Sequence, residues 1–273
     1  MITITGFADE ISPDLEVQMS VLESEGLSHI ELRGVYGKNV LKLTDDELAK
    51  VKGLLDSRGF KISSIGSPIG KYGIRDDFSA EIANITRASE IANYLNAPYI
   101  RIFSYFIPEG EEAGKYREEV LSRMKQLIEV ADKYQVTLLL ENESKVYGDI
   151  DDRCLDLLAS CNSPRLRLAF DPGNFVMNGV KPVSEALPKL VSFLEYVHVK
   201  DASIEKSMFV PAGDGDGEFV SFIKHLKESN FSGYLSIEPH LQKYLPEKDG
   251  PGQYVHAVRA LKKLLNAEEM AWN

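Results

Sequence analysis

Four short apolar runs in the second half of this chain each end on a residue able to bind a metal. LLLE ends on Glu141, LAFD on Asp171, YVH on His198 and LSIE on Glu238. The gaps between them, 30, 27 and 40 residues, each leave room for a helix to cross over between parallel strands. If the four strands are parallel neighbours, three carboxylates and one imidazole meet at one end of one sheet. Such groups are costly to bury without a partner, so a divalent cation is the natural one. Three oxygens and one nitrogen suit Mn²⁺ foremost and also Mg²⁺, Co²⁺ or Zn²⁺, while the absence of thiolates disfavours a structural zinc site. Taken singly, Asp171 before Pro172 could start a turn, His198 could be a satisfied core histidine, and the glutamates could be loop carboxylates. The shared position in consecutive units is what points to a site.

The elements that must carry these residues alternate from end to end. Strand patterns are expected at Ile2–Gly6, His29–Leu32, Lys61–Gly66, Tyr99–Phe103, Val136–Leu140, Leu166–Phe170, Tyr196–Val199 and Gly233–Ile237. Helices are expected from Ser12-Pro13 to near Gly26 and over Thr44–Arg58, Ser79–Leu95, Gly114–Tyr134, Asp151–Ser160, Val183–Phe193, Glu218–Glu228 and Gln253–Leu265. Ser before Pro, and Thr44 with Glu47 three residues on, are helix-start signals. The strands are mostly apolar rather than alternating, as for a parallel sheet covered on both faces. A doubly wound open sheet is the rival, but eight even units favour an α/β fold of the single (β/α)8 TIM-barrel type, one domain over residues 1–273.

The bulk properties narrow the function. Forty-two acidic against 31 basic residues give a net charge of −11, which argues against a nucleic-acid partner. No run approaches 18 apolar residues, so no membrane partner is expected. The start, MITITGFADE, lacks a cationic stretch followed by an apolar core, so no signal peptide is read there. Cys154 and Cys161, seven residues apart on one expected helix, would sit about 10.5 Å apart, too far to bridge. These features suggest a reduced, cytoplasmic chain.

The segments LLLEN, FDPGNF, YVHVKDA, PAGDGDGE and LSIEPH resemble the xylose isomerase-like sugar isomerases and epimerases, a family of divalent-metal barrels. The resemblance covers essentially the whole chain. In relatives such as ketose 3-epimerases the matching Glu, Asp, His and Glu hold the metal, and the two glutamates transfer the proton. Carried over, Glu141 and Glu238 are the acid/base pair, with Asp171 and His198 as further ligands. The implied activity is isomerisation or epimerisation of a sugar or sugar phosphate by proton transfer through a metal-bound cis-enediolate. The substrate is a small carbohydrate; relatives are often dimers or tetramers, which leaves a homo-oligomer open. A metal-dependent lyase or dehydratase of a keto-sugar or keto-inositol is the alternative, since it begins with the same proton abstraction. A non-catalytic sugar-binding protein would not need both glutamates.

Other positions are candidates for substrate contact. Lys200 follows His198 by two, so strand alternation sends it to the same side, where it meets substrate or pairs with Asp201. His240 stands in the same relation to Glu238. Asn142 and Asn174 could orient ligands or substrate oxygens. Glu31, Arg33, Ser67, Arg101 and Tyr105 sit near earlier strand ends; Ser67 and Tyr105 join the substrate set, and the others read as structural. The glycine-acid run Gly213–Gly217 reads as a tight turn bordering the site. Two departures from many ketose epimerases stand out: Asn174 where they have His, and Ile204 where they have Arg.

Overall fold

Short Ile-, Leu- and Val-rich runs, bounded by glycine, proline or polar turns, form eight barrel strands in the computed structural model, which describes all 273 residues. They are β1 (Ile2–Gly6), β2 (His29–Leu32), β3 (Lys61–Gly66), β4 (Tyr99–Ile102), β5 (Thr137–Glu141), β6 (Leu166–Phe170), β7 (Leu194–Val199) and β8 (Gly233–Ile237). Their hydrogen-bonded order is β1-β8-β7-β6-β5-β4-β3-β2. Every ladder is parallel, and a single bridge between Phe7 and Glu31 brings β1 back to β2. The result is a nearly closed TIM barrel.

Nine α-helices accompany the strands: α1 (Leu15–Ser24), α2 (Asp45–Arg58), α3 (Ser79–Leu95), α4 (Arg117–Lys133), α5 (Asp151–Cys161), α6 (Pro172–Met177), α7 (Leu187–Leu190), α8 (Phe219–Glu228) and α9 (Gly250–Ala267). None is long and apolar enough to cross a membrane. The Thr44–Glu47 capping box closes as the spacing requires. Helix α1 starts later than expected because the Asp14 carboxylate accepts from both Glu16 and Val17 N–H groups, displacing Ser12 as cap. Helix α4 is preceded by a 3₁₀ turn at Ala113–Tyr116. The expected Val183–Phe193 helix is broken into a π-turn (Pro182–Ala186), α7 and a 3₁₀ turn (Val191–Phe193); Pro188 has no N–H to continue a ladder. Cys154 and Cys161 both lie on α5 and are free thiols.

Side-chain alternation divides the barrel into two regions of different chemistry. One face of each strand packs outward against the helices in a core that includes Ile4, Ile30, Leu138, Leu140, Leu168, Phe170, Val197 and Leu235. The other face fills the interior, where Leu139, Ala169 and Tyr196 pack with Tyr99 and Tyr234. Two residues further along β5, β6 and β7, the same inward direction delivers Glu141, Asp171 and His198. The apolar interior cluster is therefore their floor. Register shifts interrupt two ladders: β3 has Ser63 extra against Ile30/Glu31, and β7 has Glu195 extra against Leu168/Ala169. Such bulges re-aim side chains near functional sites.

One close approach fixes the wall of the barrel mouth. Gly70 has φ +82°, and a Cβ there would lie 2.1 Å from the Phe103 carbonyl oxygen. Its N–H donates to the buried Glu81 carboxylate at 2.8 Å, and its carbonyl accepts from Tyr105 N at 2.8 Å. Gly70→Ala should therefore lower stability by about 2–4 kcal/mol through left-handed strain and overpacking. The shift of the urea unfolding midpoint measures it; a loss under about 0.5 kcal/mol would show that this seam yields.

Candidate metal centre

Glu141 ends β5, Asp171 follows β6, His198 lies in β7 and Glu238 follows β8. All four are at most 4% exposed, and one ligand-type atom from each falls within 4.8 Å of the others. His198 Nδ1 is 3.3 Å from Glu141 Oε1 and 4.0 Å from Asp171 Oδ2. Both His198 nitrogens are buried without a hydrogen bond, and Asp171 Oδ2 is met only by the Lys200 ammonium at 2.8 Å, a condition that a bound cation would relieve. The donor set is hard and borderline, three oxygens and an imidazole, which fits a divalent ion. A second trio, Glu10, Glu238 and His240, is equally close, but the Arg33 guanidinium already bridges Glu10 and Glu238 at 3.2 and 3.1 Å.

Backbone clamps hold the ligand-bearing loops. Asn142 donates to the Asp171 carbonyl and accepts from the Asp171 N–H, both at 2.9 Å. Asp171 caps α6 by accepting from Asn174 N at 2.8 Å, and Asn174 Nδ2 donates to Asn142 O at 2.9 Å and Glu141 Oε1 at 3.3 Å. The turn residue considered in the sequence is thus a helix cap as well as a member of the quartet.

Buried cations offset the carboxylates. Arg101 donates to Glu141 at 2.7 Å, and Lys200 Nζ lies 2.6 Å from Glu238 and 2.8 Å from Asp171. Burial opposes ionisation of Glu141, but His198 and Arg101 outweigh it and hold the carboxyl well below its usual range. The same balance, with Lys200 and His240 as the cations, keeps Glu238 low. Asp171 shares Lys200 rather than owning a cation, so burial wins there and pushes it up to about 7. Burial disfavours the His198 imidazolium, yet Glu141 and Glu31 raise it well above the usual histidine range. His240, resisted by burial but paired with Glu238, is also raised.

A polar cleft of about 280 Å³ reaches the quartet at Glu238 and is lined also by Arg33, Lys71, Arg101, Phe103, Asn174, Lys200, Phe209 and His240. A larger hollow of about 440 Å³, between Ile107 and Arg153, contains no member of the quartet. Of the substrate candidates, Asn174, Lys200 and His240 reach the cleft. Ser67 does not: it is buried with its hydroxyl donating to the Arg101 carbonyl at 2.6 Å. Tyr105 is also placed elsewhere, fully buried against Phe78 and the Arg123 guanidinium. The alternative Lys200–Asp201 pair does not form. Asp201 instead accepts backbone N–H bonds from Ala202, Gly213, Gly215 and Gly217. A Cβ at Gly215 or Gly217 would lie 2.5 Å from Asp201 Oδ1, which explains the glycine spacing.

Glu31, Arg33 and Arg101, read from the sequence as structural, belong to this neighbourhood. The signal was present: Arg33 follows Glu31 by two, as Lys200 follows His198, and that alternation turns both toward the interior. Phe209 comes from the hairpin of Asp201–Ser203 with Met208–Val210, and no strand-end pattern marks it.

Comparison with known proteins agrees with this architecture. The chain is 21% identical over 178 residues to a 3-dehydroshikimate dehydratase of Bacillus anthracis, covering 65% of the chain and 63% of that protein. It is 23% identical over 190 residues to a probable L-ribulose-5-phosphate 3-epimerase of Mycoplasma pneumoniae, covering 68% and 59%. The matched part thus spans under two thirds of either relative's length. Among solved structures, the probable 3-DHS dehydratase AsbF of Bacillus anthracis superposes with a TM-score of 0.79 at 16% identity, covering 95% of this chain and 98% of that one. The IOLI protein with a binding zinc atom gives 0.79 at 15% identity, covering 97% and 98%. The family described as xylose isomerase-like TIM barrel matches residues 20–264, and the chain belongs to that family.

Proposed function

We propose that this chain, acting as one unit over residues 1–273, is a divalent-metal-dependent isomerase or epimerase of a small sugar or sugar phosphate. The observation that carries the reading is the pairing of two buried glutamates with one histidine and one aspartate at a polar cleft. Glu141, Asp171, His198 and Glu238 would hold the ion, with Mn²⁺ the first choice. When bound, the ion supplies electrostatic stabilisation to negative charge developing on substrate oxygens.

The chain's own groups account for the remaining needs. Isomerisation beside a carbonyl requires a base to remove a carbon-bound proton and an acid to return it. Glu141 and Glu238, both held ionised by neighbouring cations, begin as proton acceptors. Whichever removes the proton becomes the acid that can return it to carbon on the same face; its partner must first take a proton from water to deliver one on the opposite face. Lys200 and His240 present donors to substrate hydroxyls at the cleft floor, and Asn174 steadies Glu141. Phe103 and Phe209 give the cleft apolar walls against which a sugar's C–H face can rest.

Dehydration is the second reading, and the His240–Glu238 contact of 3.1 Å favours it. A part-exposed protonated histidine beside the base could donate to a departing hydroxyl. The dehydratase and epimerase relatives show that members of this family perform both kinds of chemistry.

Incubating the Mn²⁺-loaded protein with a panel of ketoses and keto-sugars in D₂O tests both. Deuterium should enter the carbon beside the carbonyl, and the product distinguishes rearrangement from loss of water. Glu141→Gln and Glu238→Gln should each lower kcat/KM by about 10²–10⁴-fold. Exchange that survives both substitutions would refute the assignment of the bases.

Metal uptake should also release protons. Glu141 and Glu31 raise His198 above the usual histidine range and burial pushes Asp171 up to about 7, so both favour a bound proton near neutral pH, whereas a ligand must be deprotonated. Apparent affinity should therefore fall as pH drops through 7. Calorimetry in two buffers of different ionisation enthalpy gives the proton count, and zero release would contradict this charge state.

A further inference from the structure

On the far side of His198 from the quartet lies a fourth buried acid that the proposed reaction does not use. Glu31, in β2, is fully buried. No lysine or arginine lies within ion-pair reach; its one such neighbour is the His198 ring, with Nε2 3.2 Å from Glu31 Oε2. The same oxygen accepts from Ser236 Oγ at 2.5 Å, and Glu31 Oε1 has no partner. A carboxylate buried this completely without a permanent cation calls for an explanation.

The His198 ring spans the distance between the two acid groups. Its Nδ1 faces Glu141 and Asp171, at 3.3 and 4.0 Å, and its Nε2 faces Glu31. Phe7 meets the ring edge-on at 5.1 Å, and Tyr196 does so at 5.8 Å with perpendicular planes. Tyr196 is tied in turn to Ser63 at 2.9 Å, the extra residue of the β3 bulge. That bulge falls opposite the Ile30–Glu31 step and so sets where the Glu31 side chain enters the barrel. Sequence register, bulge and aromatic packing all aim one carboxylate at one ring nitrogen.

We propose that Glu31 is the positioning residue of this centre: it accepts the Nε2 proton of His198, so that the ring presents its Nδ1 lone pair to a divalent cation shared with Glu141, Asp171 and Glu238. The inference rests on the metal-dependent reading above. In this structure the His198–Glu31 pair is at ion-pair distance but short of good hydrogen-bond alignment. A cation on Nδ1 would fix the ring plane and complete it. Carboxylates behind a metal-bound histidine select its tautomer and raise its basicity, and their loss weakens metal affinity by about 10–100-fold.

The test uses the full chain loaded with Zn²⁺, a diamagnetic probe. In ¹⁵N-labelled protein, imidazole ¹H–¹⁵N correlations should show His198 protonated on Nε2 and bound to metal through Nδ1. The opposite tautomer would overturn the proposal without any mutation. Glu31→Gln should lower Zn²⁺ affinity by about tenfold or more and change the visible spectrum of the Co²⁺-substituted protein. Ser89→Ala, which removes a buried hydroxyl on α3 that donates to the Ile85 carbonyl and lies outside this centre, should lower the melting temperature and leave affinity and spectrum unchanged. Equal losses of affinity in both variants would reduce Glu31 to a packing role and overturn the proposal. If Glu31→Gln fails to fold, the tautomer decides alone. Normal Zn²⁺ affinity in folded Glu31→Gln removes this inference only, whereas no Zn²⁺ binding by the unaltered chain removes the metal-dependent reading as well.

Discussion

Four carboxylates, those of Glu31, Glu141, Asp171 and Glu238, are buried around one imidazole at the mouth of the barrel. Their mutual repulsion in a poorly solvated interior is the constraint to which the rest of the structure responds. A lone buried carboxylate shifts its pKa and neutralises rather than stay charged, and four together would do so more readily. Arg101 and Lys200, both 4% exposed, and the half-buried Arg33 answer part of that charge. The remainder falls on His198, which faces three of the acids at once, and on the cation that the quartet would hold on the proposed reading.

The compensation works only if every group stays in place, and the fold supplies this through backbone contacts. Asn142 grips both polar groups of the Asp171 backbone, and Asp171 caps the helix that its own loop begins. Asp201 gathers four backbone N–H groups and ties the glycine-acid loop beneath the hairpin that carries Phe209. These bonds fix the chain itself rather than relying on long, flexible side chains, and fixed geometry lowers the cost of holding like charges together. The apolar floor of Leu139, Ala169 and Tyr196 closes the other side, so the charged layer is backed by fully buried side chains.

The legible and illegible parts of the sequence divide along this line. The quartet could be read because each member ends an apolar run and because strand periodicity is strict, so Glu141 and His198 fall on the inward face wherever the strand ends lie. Lys200 and His240 followed by the same two-residue rule. Tyr105 and Ser67 were misplaced because local contacts turn them away just past their strands: Tyr105 takes a left-handed φ of +69° with its N–H held by the Gly70 carbonyl, and the Ser67 hydroxyl bends back to the Arg101 carbonyl. Glu31 and Arg33 obeyed the rule but sat outside the second-half pattern, so nothing in the spacing tied them to His198. That link exists only because β1 and β2 close the barrel, bringing the first units beside the last.

The same division separates the two readings proposed for the site, rearrangement and dehydration. On either reading, proton removal beside a carbonyl would draw on the two glutamates, a held cation and the apolar floor, all placed by the strands and their ends and therefore set by the barrel. The fate of the resulting enediolate depends on whether an acid can reach a leaving hydroxyl or only the neighbouring carbon. That choice belongs to the rim: His240 in a left-handed turn at φ +46°, its N–H held by Glu10 at 3.0 Å, with Phe209 beside its ring at 5.5 Å. These residues come from three separate loops, and loops vary without disturbing strand register. Moving that histidine would also withdraw one of the cations that hold Glu238 low, so on the proposed reading the choice of product and the charge state of the base are tied together at the rim.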